Sequence, residues 1–201
     1  MTVAPSSIKR PTLTMPPEEA EVLRTAYREA SVILEYGSGG STALAAEFED
    51  KHITSVESDR GWARMMKQWF AENPPSQDST VDIQWVNIGE THDWGHPVSA
   101  ERWRDYANYP LGVWKASGRP HPDVVLVDGR FRVGCALATA FNITRPVTLL
   151  FDDYTRRKWM HEVESFIGTP LVVGRVGVFH VEPTPVPGDR LDRVIHFMTL
   201  P

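Results

Sequence analysis

The 201-residue sequence predicts an α/β protein with a doubly wound, mainly parallel seven-stranded sheet and an antiparallel C-terminal hairpin. Two observations predict this fold class. Short apolar segments alternate along most of the chain with stretches in which apolar residues recur at helical spacing. Three of the apolar segments are continuous, as expected for strands that helices cover on both faces: VILE at 32–35, VVLV at 124–127 and TLLF at 148–151.

Residues 1–15 form a predicted extended N-terminal arm, and residues 16–201 form a predicted single domain. The arm contains Pro5 and Pro11 among polar residues and shows no hydrophobic period, so we expect it to lie outside the core. The first helix begins at Pro16, because a first helical turn accepts proline and the apolar residues that follow have helical spacing.

Strands and helices alternate through the next part of the chain. The glycine-rich segment 37–40 suits a tight turn between a strand and a helix, and the Asn-Pro-Pro sequence at 73–75 ends a later helix. The predicted elements are a strand at 31–35, a helix at 43–48, a strand at 52–56, a helix at 62–70 and a strand at 81–88.

The alternation resumes after a long connection and then stops. The predicted elements are a strand at 123–128, a helix at 133–141, a strand at 147–151 and a helix at 159–167. Two further segments, 171–181 and 193–200, are strand-like, with no helix predicted between them. We expect these two segments to pair as the antiparallel hairpin that closes the sheet.

The composition is that of an ordinary soluble domain, with 41% hydrophobic and 23% charged residues. The single cysteine, Cys135, excludes an intramolecular disulfide framework. A net charge of −5 gives no general attraction for nucleic acid, and no apolar stretch approaches the roughly 20 residues that cross a bilayer. We therefore expect a cytoplasmic protein that binds neither nucleic acid nor a membrane. No feature of the sequence indicates its oligomeric state.

Two carboxylates lie at the carboxyl ends of the first two predicted strands, the edge at which open α/β sheets bind their ligands. Glu35 precedes the glycine turn, and Glu57 follows the second strand, 20 residues beyond Gly37. A carboxylate at position 57 can accept hydrogen bonds from ribose hydroxyls, and Glu35 suits a cationic group. S-adenosylmethionine has both features. The alternative is a nucleotide-dependent oxidoreductase, but its glycine motif requires a third glycine where this chain has Thr42.

The segment LEYGSGGS at 34–41, together with Glu57 and Asp128, resembles the class I S-adenosylmethionine-dependent methyltransferases over about residues 17 to 200. The resemblance implies O-methylation of a small molecule, or a non-catalytic relative that binds a ligand or partner. The implied cofactor site consists of Glu35, Gly37, Ser38, Gly39, Ser41, Glu57, Ser58, Gly89, Glu90, Thr91, Trp94 and Asp128. The alternative for the two glutamates is that they only cap helices or pair with arginines.

Three acids follow the fourth and fifth strands: Asp128, Asp152 and Asp153. Adjacent strands lie about 4.8 Å apart, so the three carboxylates can converge on Mg²⁺. This arrangement resembles the metal-dependent catechol and caffeoyl-CoA O-methyltransferases, although that subgroup has asparagine where this chain has Asp153. The alternative is that Arg130 and Arg132 neutralise the acids, and both readings stay open. With or without metal, the candidate catalytic residues are Asp128 and Asp152, as general bases, and Arg130.

The connection at 89–120 is longer than about 15 residues and rich in aromatic residues, which indicates a functional segment rather than disorder. Trp94 is a candidate to stack on adenine, and Trp103 and Tyr106 are candidates to line an acceptor site. The alternative for all three residues is that they pack the connection onto the core.

Three other features of the sequence are interpreted as structural. His92 and His96 are solvated loop histidines, the stripe containing Trp62 is core packing, and the basic run 156–158 is a solvated face that can alternatively contact an anionic substrate.

Overall fold

A computed structural model of the protein describes residues 8–201. Residues 1–7 of the predicted arm lie outside the described residues, and residues 8–16 contain no helix or strand. The prediction that the arm lies outside the core is wrong for its second half, because Leu13 and Met15 pack against a core cluster. The backbone of Thr12 and Leu13 lies directly against Gly40, where any Cβ atom would overlap it.

Nine strands occur in the described residues: β1 Val32–Tyr36, β2 His52–Glu57, β3 Thr80–Trp85, β4 Thr91–His92, β5 His96–Pro97, β6 Val124–Val127, β7 Val147–Phe151, β8 Leu171–Val173 and β9 Val176–Val181. Seven of them form one sheet in the order β3-β2-β1-β6-β7-β9-β8, and β4 pairs with β5 separately. The first five strands of this order are parallel, whereas β9 is antiparallel to both of its neighbours. This arrangement confirms the predicted fold class.

The α-helices of the described residues are α1 Pro17–Glu29, α2 Gly40–Ala45, α3 Arg60–Glu72, α4 Asn108–Gly112, α5 Arg132–Asn142, α6 Glu164–Ile167 and α7 Leu191–Thr199. They cover both faces of the sheet. Ile33 of β1 packs in the cluster that contains α1 and α2, whereas the next residue, Leu34, packs in the cluster that contains α5 and α7. Burial on both faces explains why the central strands are continuous apolar runs.

The C-terminal hairpin exists, but it is not the one that was predicted. Both of its strands, β8 and β9, come from 171–181, with a turn that includes Gly174 at φ 55°. The segment 193–200, predicted as a strand, belongs to α7. In α7 the buried residues are Val194, Phe197 and Met198, which have helical spacing, and the helix packs closely on Gly134 of α5.

The long connection between β3 and β6 is folded. It contains the β4–β5 hairpin, α4 and three short 3₁₀ segments. Tyr106, Tyr109 and Val113 of this connection are buried in the main core cluster. Within residues 8–201, no helix has both the length and the apolar character needed to cross a membrane.

Strand order reverses between β1 and β6, which are hydrogen-bonded neighbours although two strands of the sheet separate them in sequence. In a doubly wound sheet, ligands bind at the carboxyl ends of the strands around this point. The turns after β1, β2, β6 and β7 are therefore the region to examine for a site.

Candidate functional site

The turn after β1 is built by glycine. Gly37 has φ 101°, and a Cβ atom there would lie 2.8 Å from the backbone nitrogen of Gly129, in the turn after β6. Any other residue at position 37 would force these two turns apart. Ser38, the next residue, donates from its backbone nitrogen and its hydroxyl to Oε2 of Glu57, at 3.2 and 3.0 Å.

Glu57 is held only by uncharged donors in the described part of the chain. Besides Ser38, its partners are the backbone nitrogens of Ser58 and Asp59, which donate to Oε1 at 2.7 and 2.9 Å. No lysine or arginine among residues 8–201 forms an ion pair with it, so the alternative that it pairs with an arginine is wrong. The negative charge of Glu57 is therefore not neutralised, which suits an acceptor of hydrogen bonds from a ligand.

Glu35 lies beneath the glycine turn and is fully buried. Its oxygens accept hydrogen bonds from the hydroxyls of Tyr27 and Thr42, at 2.6 and 2.5 Å. The Thr42 hydroxyl also accepts a hydrogen bond from the Gly39 nitrogen at 3.0 Å. Burial raises the pKa of Glu35, and these hydroxyl donors oppose the shift. Glu35 positions the turn through Thr42, the buried Ser41 hydroxyl also supports this carboxylate, and its contact with the cofactor stays a prediction.

The predicted adenine region adjoins Glu57 through the β4–β5 hairpin. Thr91 donates to Oδ2 of Asp59 at 2.9 Å, and the Ser58 hydroxyl donates to the Gly95 carbonyl at 3.0 Å. Gly89, with φ 104°, and Glu90 lead into this hairpin. Trp94 is 84% exposed, so the alternative that it packs on the core is wrong.

Trp103 and Tyr106 do not share a surface. Trp103 is about half exposed, whereas Tyr106 is buried and its hydroxyl donates to the Ser99 carbonyl at 2.8 Å. The joint acceptor site predicted for them is therefore wrong for Tyr106.

Two aromatic residues at the site were not predicted. Trp62, interpreted from sequence as core packing, is 41% exposed, and its indole nitrogen donates to the Ser38 carbonyl at 2.8 Å. Tyr109 is fully buried, and its hydroxyl donates to the Val56 carbonyl at 3.2 Å and lies against Gly129. Tyr109 thus spans the ends of β2 and β6, and the helical spacing of Trp62 concealed its position at the start of α3.

The acids after β6 and β7 are bound by arginines. Arg175 forms two hydrogen bonds with the Asp152 carboxylate, at 2.8 and 3.1 Å. Arg132 donates to Oδ1 of Asp128 at 3.2 Å and to Oδ2 of Asp153 at 3.4 Å. The alternative considered from sequence was that Arg130 and Arg132 neutralise the acids. Arg132 does bind two of them through hydrogen bonds. The arginine bound to Asp152 by hydrogen bonds is Arg175 and not Arg130.

This arrangement does not fit a metal ion. No group of three histidine, cysteine, aspartate or glutamate side chains within residues 8–201 is arranged to hold one. Asp152 is almost fully buried, with both oxygens hydrogen-bonded to Arg175. A cation at this position would have to displace that guanidinium, so the predicted Asp128, Asp152 and Asp153 metal set is not present as an open site.

Asp128 differs from Asp152 because its side chain is 37% exposed. Desolvation raises the pKa of Asp128; the Arg132 charge lowers it, and the Asp152 and Asp153 charges raise it further. A partly exposed carboxyl group with a raised pKa is suited to accept a proton near neutral pH.

Arg130 lies on the other side of the same turn and is buried. Its Nη1 donates to Nε2 of His96. Because arginine only donates, that ring nitrogen must carry no proton. The pKa of His96 is lowered to about 4, mainly by burial and secondly by the Arg130 charge. His96 is therefore not the solvated loop histidine expected from sequence.

Comparisons with known proteins identify the fold and the family of the chain. The chain is 66% identical to a methyltransferase-like protein from Silicibacter pomeroyi DSS-3, with 96% of this chain and 99% of that chain covered and a TM-score of 0.93. The fold is also shared with a methyltransferase from Geobacter sulfurreducens (14% identity, 84% and 80% covered, TM-score 0.54) and with cofactor-bound Rv0187 from MTB (15% identity, 88% and 84% covered, TM-score 0.55).

No protein-family model matches the chain, and no curated protein matches it. The relative from Silicibacter covers nearly the whole chain at high identity, and the strand order is that of the class I methyltransferase fold. The chain therefore belongs to the family of methyltransferase-like proteins with the class I methyltransferase fold.

Proposed function

We propose that this protein is an S-adenosylmethionine-dependent methyltransferase that acts on a hydroxyl group of a small molecule in the cytoplasm. The observation that carries the proposal is Glu57, a carboxylate at the end of β2 that only uncharged donors hold. Together with the adjoining glycine turn, it suits a ligand with a ribose next to a cationic group. Membership of a methyltransferase-like family favours S-adenosylmethionine over a nicotinamide nucleotide.

Ser38 and Glu57 would change partners when the cofactor binds. Oε2 of Glu57 accepts both of its hydrogen bonds from Ser38. Ribose hydroxyls can replace these donors, which frees the Ser38 hydroxyl for the ligand. Exposed Trp94 and Trp62 flank this position and offer aromatic surfaces for the adenine.

Asp128 is the proposed general base. When bound, S-adenosylmethionine supplies a methyl group on a sulfonium that needs no further activation. Asp128 accepts the proton of the acceptor hydroxyl as that oxygen bonds to the methyl carbon, and the electrons of the broken carbon–sulfur bond remain on sulfur. Asp152 is not suited to this role, because Arg175 occupies both of its oxygens.

Calorimetric titration with S-adenosylhomocysteine tests the cofactor assignment. We expect saturable binding with one site per chain. No binding at millimolar ligand would contradict the proposal. Formation of S-adenosylhomocysteine from S-adenosylmethionine in the presence of hydroxyl-bearing acceptors then tests turnover, and Asp128→Asn should abolish turnover while retaining binding.

A second candidate is a non-catalytic protein of the same family, and Tyr109 is the observation that favours it. Tyr109 is buried across the ends of β2 and β6, against Gly129. If Tyr109 occupies this space permanently, cofactor binding is blocked or incomplete. Equal S-adenosylhomocysteine formation by the wild type and by Asp128→Asn, at the rate of buffer alone, would favour this candidate over the enzyme.

A further inference from the structure

The turns after β6 and β7, with the neighbouring hairpin, contain more arginines than acids. Three arginines bind the three aspartates of this region. The pairs are Arg175 with Asp152 and Asp153, Arg132 with all three aspartates, and Arg156 with Asp153. Arg130 and Arg157 form no ion pair with an acid among residues 8–201. The region therefore carries two positive charges that the protein does not neutralise.

Arg130 is a buried cation with an incomplete set of partners. It is only 5% exposed, and its Nε is buried without a hydrogen-bond partner among the described residues. Its guanidinium contacts neutral His96, which supplies no negative charge. Burial of an unpaired charge costs several kcal/mol, so a buried arginine is normally matched by an anion.

Arg157 lies close to the same place. It follows β7, is partly buried, and its side chain has no hydrogen bond or ion pair with any residue in 8–201. Val127 of β6 pairs with Phe151 of β7, so the turns that follow these two strands, with Arg130 in one and Arg157 beyond the other, are adjacent. The Arg157 charge also contributes to the lowered pKa values of Arg130 and His96. His92 stacks on His96 with ring centroids 5.7 Å apart and completes the cluster.

The cluster lies between the turn that contains the proposed base and the β4–β5 hairpin, whose Gly95 adjoins Ser58 and Glu57. Glu57 follows β2, whereas Arg130 and Arg157 follow β6 and β7, on the other side of β1 in the strand order. Asp128, the proposed base, lies two residues from Arg130 in the turn after β6. A group held by Arg130 therefore lies close to the proposed base, where the acceptor molecule must be placed.

We propose that Arg130, Arg157 and His96 bind an anionic group, a carboxylate or a phosphate, on the acceptor molecule. This inference rests on the proposed function and narrows it to anionic acceptors. Two guanidinium groups can each bind an oxyanion through paired hydrogen bonds, and the Nδ1 proton of neutral His96 adds a further donor. The anion would also satisfy the buried Nε of Arg130.

Thermal unfolding of the protein saturated with S-adenosylhomocysteine tests the anion site, with inorganic phosphate as the probe and chloride at equal ionic strength as the reference. We expect phosphate to raise the Tm by about 2–4 °C at roughly five times its dissociation constant. Arg157→Gln and Arg130→Gln should each abolish this gain. Arg156→Gln is the matched control, because Arg156 is adjacent, exposed and paired with Asp153, and it should retain the gain.

Three outcomes would overturn the inference: no phosphate gain in the wild type, an equal gain in Arg157→Gln, or loss of the gain in Arg156→Gln. Arg157→Gln alone decides the matter if Arg130→Gln does not fold. Calorimetry then tests which molecule carries the anionic group, the acceptor or the cofactor. If Arg157→Gln weakens binding of S-adenosylhomocysteine but not of methylthioadenosine, the cluster binds the cofactor carboxylate, and the acceptor assignment is wrong. If S-adenosylhomocysteine does not bind the wild type at all, the proposed function fails instead.

Discussion

Glu57 and Asp152 occupy comparable places, at or just beyond the carboxyl ends of parallel strands β2 and β7, yet the protein holds them by opposite means. Glu57 accepts hydrogen bonds from a hydroxyl and from backbone nitrogens. Asp152 accepts two hydrogen bonds from the Arg175 guanidinium. Uncharged donors orient a carboxylate and leave its charge available to a ligand, whereas a bidentate arginine orients it and neutralises it.

The same edge of the sheet is therefore divided into two regions. The β1–β2 region has two carboxylates, Glu35 and Glu57, and no arginine bound to either among the described residues. The β6–β7 region has three aspartates and a surplus of arginine. The first region suits a ligand with hydroxyl and cationic groups, and the second suits an anion rather than a metal ion.

The largest expected effect is that of breaking the buried ion pair of the second region. Arg175→Met leaves the Asp152 carboxylate, 3% exposed, without its main partner. We expect a loss of about 3–5 kcal/mol in the free energy of unfolding, measured by urea denaturation. Arg145→Met, which removes a more exposed pair with Asp123, is the control and should cost about 0–1 kcal/mol. Similar losses in the two variants would contradict the importance of the buried pair.

Removing one uncharged donor from the first region should have an intermediate effect. Thr42→Val deletes the hydroxyl that joins Glu35 to the Gly39 nitrogen, and leaves buried polar groups unsatisfied. We expect a loss of about 1–3 kcal/mol by the same measurement. Thr139→Val is the matched control, since Thr139 is equally buried and its hydroxyl, which donates to the Cys135 carbonyl, lies outside the Glu35 network. An equal loss at Thr139 would show that the Glu35 network adds nothing.

The pH dependence of stability sharpens the contrast further, because Glu35 is a buried carboxyl without a cation. Its pKa is raised in the folded state, so its contribution to stability is present at acid pH and is lost as the pH rises through that value. Glu35→Gln should therefore become more stable relative to the wild type as the pH rises above the ordinary glutamate pKa of about 4.3. Urea denaturation of both proteins across this range measures the difference. A constant difference would contradict the raised pKa.

The smallest expected effect concerns His96, beside Arg130 in the second region. Its folded-state pKa is lowered to about 4, chiefly by burial, so its contribution to stability is present above its ordinary value and is lost as the pH falls toward 4. His96→Gln should lose less stability on acidification than the wild type does. His180→Gln, at an exposed histidine, is the control. An unchanged acid dependence in His96→Gln would contradict the lowered pKa of His96.

Much of the fold was predictable because it rests on local patterns. The continuous apolar strands and the spacing from Gly37 to Glu57 placed the sheet and the first two turns correctly. The structure of the segment 193–200 was not predictable in this way. Over so short a length its apolar residues fit both a strand period and a helix period. Packing against Gly134 selects the helix.

The site was less predictable because its key contacts join distant parts of the chain. Arg175 reaches Asp152 only because β7 and β9 pair with Phe151 opposite Gly177. Sequence alone favoured Arg130 and Arg132, which are closer to the acids along the chain. Tyr109 lies in α4, a helix of 5 residues that is too short to show a hydrophobic period, so no sequence pattern indicated that it would be buried across the strand ends.

The most direct test of the account is calorimetric titration of S-adenosylhomocysteine into the wild type and Glu57→Gln, with exposed Glu49→Gln as control. Hydrogen bonds to a charged acceptor contribute about 1.5–3 kcal/mol, so we expect Glu57→Gln to bind about 10 to 100 times more weakly and Glu49→Gln to bind like the wild type. Equal affinities of the wild type and Glu57→Gln would contradict the assignment of the β1–β2 region as the cofactor site.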